Sequence, residues 1–170
     1  MSGDLRLAHD SAKPLTEIKH ADGQPPASDI PSKPHGLWLS VDGPDDWKAW
    51  CEAESFSLGC LVYRTPIVID SEANILHLTS VRDIDEFSAQ YGKQYYWRTE
   101  PKERREDFVD WQRVADDYQG IIIAPYQWER RLNGRARWYY GWDCASGCVW
   151  NARAIRIGEL SLKAALADQE

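Results

Sequence analysis

The chain lacks a basic excess and long apolar runs, and each absence excludes a class of protein. Its formal net charge is −7, with 27 acidic against 20 basic residues. An acidic chain has no broad attraction to nucleic-acid backbones, so nucleic acid is the less favoured partner. No segment approaches the roughly 20 apolar residues of a membrane span, and residues 1–13 do not form a basic and then apolar signal. We therefore expect a cytoplasmic protein with no membrane partner.

Cysteine is scarce and is badly spaced for a metal site. Four cysteines occur, and Cys144 and Cys148 are the one close pair, separated by three residues and with no histidine nearby. Ordinary zinc knuckles use a two-residue spacing, so we predict no metal site. Free cysteine behaves as a small hydrophobe, which predicts buried thiols.

The common nucleotide and hydrolase motifs are absent as well. The sequence has no Gly-rich dinucleotide loop, no phosphate-binding P-loop, no zinc-binding HExxH and no GxSxG nucleophile turn. A nucleotide site in this chain has to be constructed in another way.

Aromatic residues are abundant, with nine tryptophans and eight tyrosines in a chain of 170 residues and 43% hydrophobic content. This length and composition predict one globular domain over residues 1–170. Residues 21–34 are rich in proline, alanine and serine, and are predicted as a mobile loop. Residues 161–170 are predicted as a short helix or a frayed tail.

Short strands and helices alternate irregularly, which predicts an α+β fold. The predicted strands span residues 4–9, 36–41, 60–70, 73–80 and 121–126. The predicted helices begin at Pro14, Trp47, Val81 and Asp107, and Ser80 with Asp83 forms a capping box before the third of them. The last third is predicted as a hairpin, with strands 135–144 and 148–157 on either side of Ala145–Gly147.

The order of several short motifs resembles that of the histidine-type mono- and poly-ADP-ribosyltransferases. His9-Asp10-Ser11 is similar to the family's His-Gly-Ser/Thr segment on the first strand, and residues 36–40, GLWLS, are similar to its second strand. Trp50-Cys51 lies near the family's helical aromatic-Cys pair, and the resemblance covers residues 4–126 in element order. It implies a single domain with a split mixed or antiparallel β-sheet and short flanking helices.

The resemblance also implies that NAD is the substrate and that no metal takes part. His9 would bond ribose hydroxyls, main-chain groups of Gly36 would pair with the nicotinamide amide, and Trp50 would stack on the cationic nicotinamide ring. Trp47 is expected in the core. The residues implied for binding NAD are Arg6, Asp10, Ser11, Gly36, Leu37, Trp38, Ser40 and Trp50.

The catalytic acid is where the chain departs from the family pattern. Cleavage of the glycosidic bond makes an oxocarbenium-like ribose, which a nearby carboxylate stabilises. Gln119 stands where the family places a glutamate, and Glu129 in Gln127-Trp128-Glu129 imitates the Q-x-E of other members, which pair it with a first-strand arginine such as Arg6. The catalytic candidates are therefore His9, Gln119 and Glu129, and a true glutamine favours mono-transfer, NAD hydrolysis or binding over polymer synthesis.

Two functions remain open at this point. The first is an effector or toxin-like enzyme that transfers ADP-ribose to a macromolecule and releases nicotinamide, with a protein acceptor favoured over a nucleic acid. The second is a non-catalytic interaction module or inhibitor that presents its Trp- and Tyr-rich hairpin, residues 138–150, to a partner protein.

Overall fold

The computed structural model describes residues 5–19, 33–97, 104–132 and 134–159. Most of the loop predicted at 21–34 and the whole tail predicted at 161–170 lie outside these ranges. The secondary structure elements, in chain order, are β1 (Leu7–Ser11), β2 (Leu37–Val41), α1 (Trp47–Glu54), β3 (Tyr63–Ile69), β4 (Ile75–Leu78), α2 (Val81–Tyr91), β5 (Gly92–Trp97), β6 (Arg104–Val109), α3 (Trp111–Asp117), β7 (Gly120–Ile123), β8 (Ser146–Val149) and β9 (Ile155–Ile157).

Seven of these strands form one mixed sheet in the order β4-β7-β8-β2-β1-β3-β9. The β4–β7 pair is parallel and the other neighbours are antiparallel, while β5 and β6 form a separate two-stranded ribbon. Helices combined with a mostly antiparallel sheet confirm the α+β class. No helix within the described ranges has both the length and the apolar character needed to cross a bilayer.

The sheet is weakly joined at its middle, between β1 and β2. Their ladder contains two residue pairs, Leu7 with Val41 and Ala8 with Ser40. By contrast, β1 makes five pairs with β3, and β2 makes four with β8. Ladder pairing between these two strands therefore ends after Ala8, within one continuous sheet.

Local sequence signals explain the two longer helices. The Ser80 hydroxyl accepts a hydrogen bond from the Asp83 amide at 3.2 Å, and the Asp83 carboxylate accepts one from the Ser80 amide at 2.9 Å. This capping box confirms the predicted start of α2. The start of α1 is capped by Asp46, whose carboxylate accepts from the Ala49 amide at 2.8 Å.

Buried rings account for much of the tryptophan content. Trp138 contacts Phe87, Trp111 and Trp142, with ring centroids 5.1, 5.8 and 6.2 Å apart. Trp138 also donates from its indole nitrogen to the Ser88 hydroxyl at 2.9 Å. These large tilted and edge-on rings fill volume, so the cluster serves as core, although the buried indole nitrogen of Trp142 has no hydrogen-bond partner within the described residues.

Three predicted elements are wrong. Residues 14–19 form no helix, and α3 begins at Trp111 instead of Asp107 because the preceding residues pair with β5 as strand β6. The C-terminal hairpin is also wrong, since Gly134–Gly141 forms 3₁₀ turns and β8 pairs with β2 and β7. Its alternating aromatic pattern reflects rings anchored in the core, not a half-buried strand.

Candidate functional site

A cavity of about 370 Å³ lies beside the part of β1 and β2 that follows their short ladder. This volume lies within the range of small-molecule sites. Side chains from β1 and β2, from α1 and from the segment before β8 line it. Those that bear on its chemistry are His9, Lys33, Trp38, Ser40, Trp47 and Asp143.

His9 is the first residue of β1 beyond its ladder with β2. Its Nδ1 atom lies 2.8 Å from the main-chain oxygen of Trp38. Because a carbonyl oxygen only accepts, Nδ1 carries the proton, and in the neutral ring Nε2 is left as an acceptor. The imidazole thus takes the place of a backbone pair and also forms part of the cavity wall.

Three indoles, those of Trp38, Trp47 and Trp142, give the cavity flat aromatic walls. Trp38 contacts Trp142 at a centroid distance of 4.8 Å, and Trp47 stacks on Trp50 at 5.1 Å with an interplanar angle of 17°. Both Trp38 and Trp47 line the cavity and are partly exposed. A flat or cationic ring can stack against such faces.

Neither Trp47, expected in the core, nor Trp50, expected at the cavity, has its expected position. Trp47 is the ring at the cavity, and Trp50 is not among the lining residues. The cause is the start of α1, where the Trp47 amide donates to the Ser40 hydroxyl at 3.0 Å and so holds the first turn against the end of β2. The buried Trp50 indole nitrogen has no hydrogen-bond partner within the described part of the chain.

Asp143 brings a carboxylate to the cavity. Two main-chain hydrogen bonds fix its segment against the residues around the β2–α1 connection. The Ala145 amide donates to the Asp45 main-chain oxygen at 2.7 Å, and the Ala145 main-chain oxygen accepts from the Val41 amide at 3.0 Å. Burial raises the pKa of the Asp143 carboxyl above its usual value, while Lys33 and Arg131 oppose that shift. The group is partly desolvated and is paired with cations only at long range.

Asp10 also lines the cavity, but it is held by Arg64. The Arg64 guanidinium donates to both Asp10 oxygens at 3.0 and 2.8 Å, and it also pairs with Asp42 and Asp46. Burial raises the pKa of the Asp10 carboxyl, and the Arg64 charge partly offsets this. A bidentate pair of this kind fixes the carboxylate in place, so Asp10 is better suited to maintaining the shape of the site than to reacting.

Neither predicted acid position reaches the cavity. The Gln119 side-chain oxygen accepts from the Asn74 main-chain amide at 2.8 Å. Gln119 directly precedes Gly120, which pairs with Val149, and so lies at the opposite end of β8 from the cavity residue Ser146. Glu129 is exposed in a short 3₁₀ helix, Trp128–Arg130. The carboxylates that line the cavity are Asp10 and Asp143.

The other predicted NAD contacts divide into two groups. Asp10, Trp38 and Ser40 line the cavity together with His9. The remaining four are not among its lining residues, and each has a local structural role or is exposed: Arg6, Ser11, Gly36 and Leu37.

Local contacts explain two of those four residues. Gly36 packs so closely on β8 that an added Cβ would lie 2.6 Å from the Val149 oxygen, which excludes larger residues. Ser11 donates from its hydroxyl to the Lys13 oxygen at 2.7 Å. Proximity in sequence to His9 or to the GLWLS strand therefore identified some of the lining residues and not others.

Sequence reasoning missed Lys33, Trp47 and Asp143 as cavity residues. Asp143 did carry a signal, because a carboxylate between Trp142 and Cys144 interrupts an otherwise apolar segment, and acidic residues are seldom buried without a reason. For Lys33 the sequence holds no comparable signal, since it precedes β2 in a polar segment.

The aromatic face required by an interaction module is not formed by residues 138–150. Trp138, Tyr139 and Trp142 are fully buried. Trp150 donates its indole N–H to the main-chain oxygen of Tyr118 at 2.7 Å. Within this segment Tyr140 is the exposed ring, with 60% of its surface accessible. One exposed tyrosine is ordinary for a protein surface.

All four cysteines are free thiols. Cys51, Cys144 and Cys148 are buried, as predicted, while Cys60 is partly exposed at the cavity. Burial raises the pKa of Cys144 to about 12, so that thiol is inert at neutral pH. Among the residues that the structure describes, no three His, Cys, Asp or Glu side chains converge to hold a metal ion.

Comparison of the chain with family models, with curated proteins and with solved structures found no match.

Proposed function

We propose that this chain is an ADP-ribosyltransferase-like enzyme that binds NAD in the cavity, cleaves the nicotinamide–ribose bond and transfers ADP-ribose to a macromolecular acceptor. A protein is the favoured acceptor, because the net charge of −7 opposes binding to nucleic acid. Transfer to water instead would make the same site an NAD glycohydrolase. The fold, on this proposal, is a split sheet of the ADP-ribosyltransferase kind.

The observation that carries the proposal is one cavity lined by an imidazole, three indoles and two partly desolvated carboxylates, of which Asp143 is the one not held by a bidentate ion pair. Nicotinamide in NAD is a flat cation, so the exposed faces of Trp38 and Trp47 suit it by stacking and by cation–π attraction. His9, with Nδ1 committed to the Trp38 oxygen, offers Nε2 to accept a hydrogen bond from a ribose hydroxyl.

Asp143 supplies the negative charge that the reaction needs. As nicotinamide leaves with the bonding electron pair, positive charge develops on the ribose, and a carboxylate in a site shielded from water stabilises it electrostatically. Nicotinamide departs as a neutral molecule, so no acid has to protonate it. The ribose cation is then captured by a nucleophile of the acceptor, which loses a proton.

The direct test is release of free nicotinamide from NAD by the purified protein, with and without cell protein as acceptor. We expect release to depend on His9 and Asp143, and to persist in Glu129→Gln and Gln119→Glu, which change exposed or distant positions. Retained ADP-ribose on protein identifies transfer, and free ADP-ribose identifies hydrolysis. A folded wild-type protein that neither releases nicotinamide nor binds NAD would refute the proposal.

A further inference from the structure

The cations beside the cavity differ in how closely carboxylates pair with them. Arg64 is saturated by three carboxylates, two of its hydrogen bonds to Asp10 being 3.0 and 2.8 Å long. Lys33 and Arg131 instead share Asp143 at 3.9 and 3.6 Å, which are ion-pair distances too long for good hydrogen bonds. Arg64 is therefore part of the framework, whereas the other two are loosely held.

Lys33 is the loosely held cation that reaches the cavity. It lines the hollow, its side chain is 44% exposed, and its ammonium lies 5.3 Å from the centroid of the Trp38 ring. The next residue, Pro34, is buried, and its oxygen accepts from the Cys148 thiol at 3.8 Å. The backbone at Lys33 is thus anchored beside the cavity, while its long side chain remains free to exchange partners.

Such an exchange costs little. A half-exposed ion pair at 3.9 Å contributes little stability, because water screens it and both side chains lose freedom. Asp143 is also not abandoned when Lys33 moves, since Arg131 holds its other oxygen. A ligand with more concentrated negative charge than a carboxylate can therefore displace Asp143 from the ammonium.

We infer that Lys33 is the diphosphate-binding residue of this site and that it leaves Asp143 for the phosphate oxygens when a dinucleotide enters. Lysine binds phosphate as a point charge with three donors, which suits a mobile contact at the edge of a pocket. The exchange also frees one Asp143 oxygen in the cavity once substrate is bound. The inference rests on the proposed function, because it assigns a binding residue to the diphosphate of NAD, which the aromatic walls and His9 do not contact.

ADP and adenosine test this inference through a binding measurement, since they differ in the diphosphate alone. In calorimetric titration we expect wild-type protein to bind ADP more tightly than adenosine. Lys33→Met should weaken ADP about ten- to hundredfold, the loss of one charge-assisted hydrogen bond, and leave adenosine unchanged. Lys33→Arg should retain most of the ADP affinity.

Two matched variants make the result decisive. Lys48→Met removes the same charge from an exposed position outside the cavity lining and should keep ADP affinity within about twofold. Arg131→Met removes the cation that keeps Asp143 paired during the exchange and should weaken ADP binding less than Lys33→Met does. Equal affinity for ADP and adenosine in the wild type, unchanged ADP binding in Lys33→Met, or loss confined to Arg131→Met would overturn the inference. Because neither probe carries nicotinamide, these outcomes are separate from failure to cleave NAD.

Discussion

The imidazole of His9 lies 2.8 Å, through Nδ1, from the main-chain oxygen of Trp38, at the point where β1 and β2 stop pairing. The imidazole donates a hydrogen bond to a carbonyl oxygen that has no ladder partner on β1, because pairing of the two strands ends at Ala8. One residue therefore both stabilises the end of the β1–β2 ladder and contributes its imidazole to the cavity wall. This double role leads to the first prediction.

Replacement of His9 by Ala should weaken both the fold and the site. Loss of the bond to Trp38 leaves a partly buried carbonyl oxygen unpaired, so the free energy of unfolding should fall by about 1 kcal/mol. Loss of the ribose contact should raise the KM for NAD about tenfold. Denaturant titration and nicotinamide release measure the two effects, and His9→Asn, which keeps a short donor, should recover part of the stability but not the KM. Unchanged KM in a folded His9→Ala protein would remove His9 from the site.

Asp143→Asn should reduce kcat about 10²- to 10³-fold, because an amide cannot stabilise the developing ribose cation as a carboxylate does. The variant nearly preserves shape, and its circular dichroism and melting temperature provide the structural control. Glu129→Gln serves as the matched amide substitution at an exposed acid outside the cavity. Full activity in Asp143→Asn would mean that the carboxylate has another source.

The pH dependence of wild-type activity should report the same carboxyl group. Burial raises the Asp143 pKa above the ordinary value of 3.8, and the reaction requires the ionised form. Activity should therefore increase with pH through a pKa higher than that of an exposed aspartate. In the free enzyme the Lys33 charge lowers the Asp143 pKa, so Lys33→Met should move the acid limb of kcat/KM, which reports the free enzyme, to still higher pH. A profile whose acid limb is identical in wild type and Lys33→Met would contradict this assignment.

Trp47 and Trp50 provide a matched pair for testing the aromatic wall. Each tryptophan is replaced separately by leucine, a substitution that keeps an apolar side chain and removes the aromatic face. Trp47→Leu should raise the KM for NAD, because an indole stack is worth about 0.5 to 1.5 kcal/mol beyond area burial. Trp50→Leu, behind the wall, should lower thermal stability with a smaller effect on KM. The reverse ranking of the two KM values would restore Trp50 as the stacking residue.

Elements whose formation depends on neighbouring residues were predicted correctly, and elements that depend on long-range packing were not. The capping box at Ser80 and the buried run at Ile121–Ile123 are determined by neighbouring residues, and both elements formed as predicted. The 135–144 segment was predicted wrongly because its rings are placed by long-range packing, such as Trp138 against Phe87, which overrides local alternation. Asp143 belongs to that segment, so the same error concealed the carboxylate of the site.

Ser80→Ala tests whether that local signal also determines stability. Loss of the N-cap hydroxyl should lower the free energy of unfolding by about 1 kcal/mol, because the Asp83 amide loses its acceptor. Ser71→Ala, at an exposed turn position, should change stability by less than about 0.5 kcal/mol. Both are measurable by denaturant titration, and an equal effect of the two substitutions would show that the cap contributes nothing. Nicotinamide release should be unaffected, since neither serine lines the cavity.

The cysteines offer a test of the cavity that needs no substitution. Cys60 is partly exposed on the lining, whereas Cys144 is buried and its pKa is raised to about 12, so at neutral pH the former should react with a maleimide first. Intact-mass spectrometry should show one fast modification in the folded protein and four after denaturation. NAD or ADP should slow the fast reaction, because a ligand in the hollow covers the Cys60 thiol. Fast modification of a second cysteine would contradict the buried placement of the others, and a rate indifferent to saturating ligand would place nucleotide binding away from this cavity.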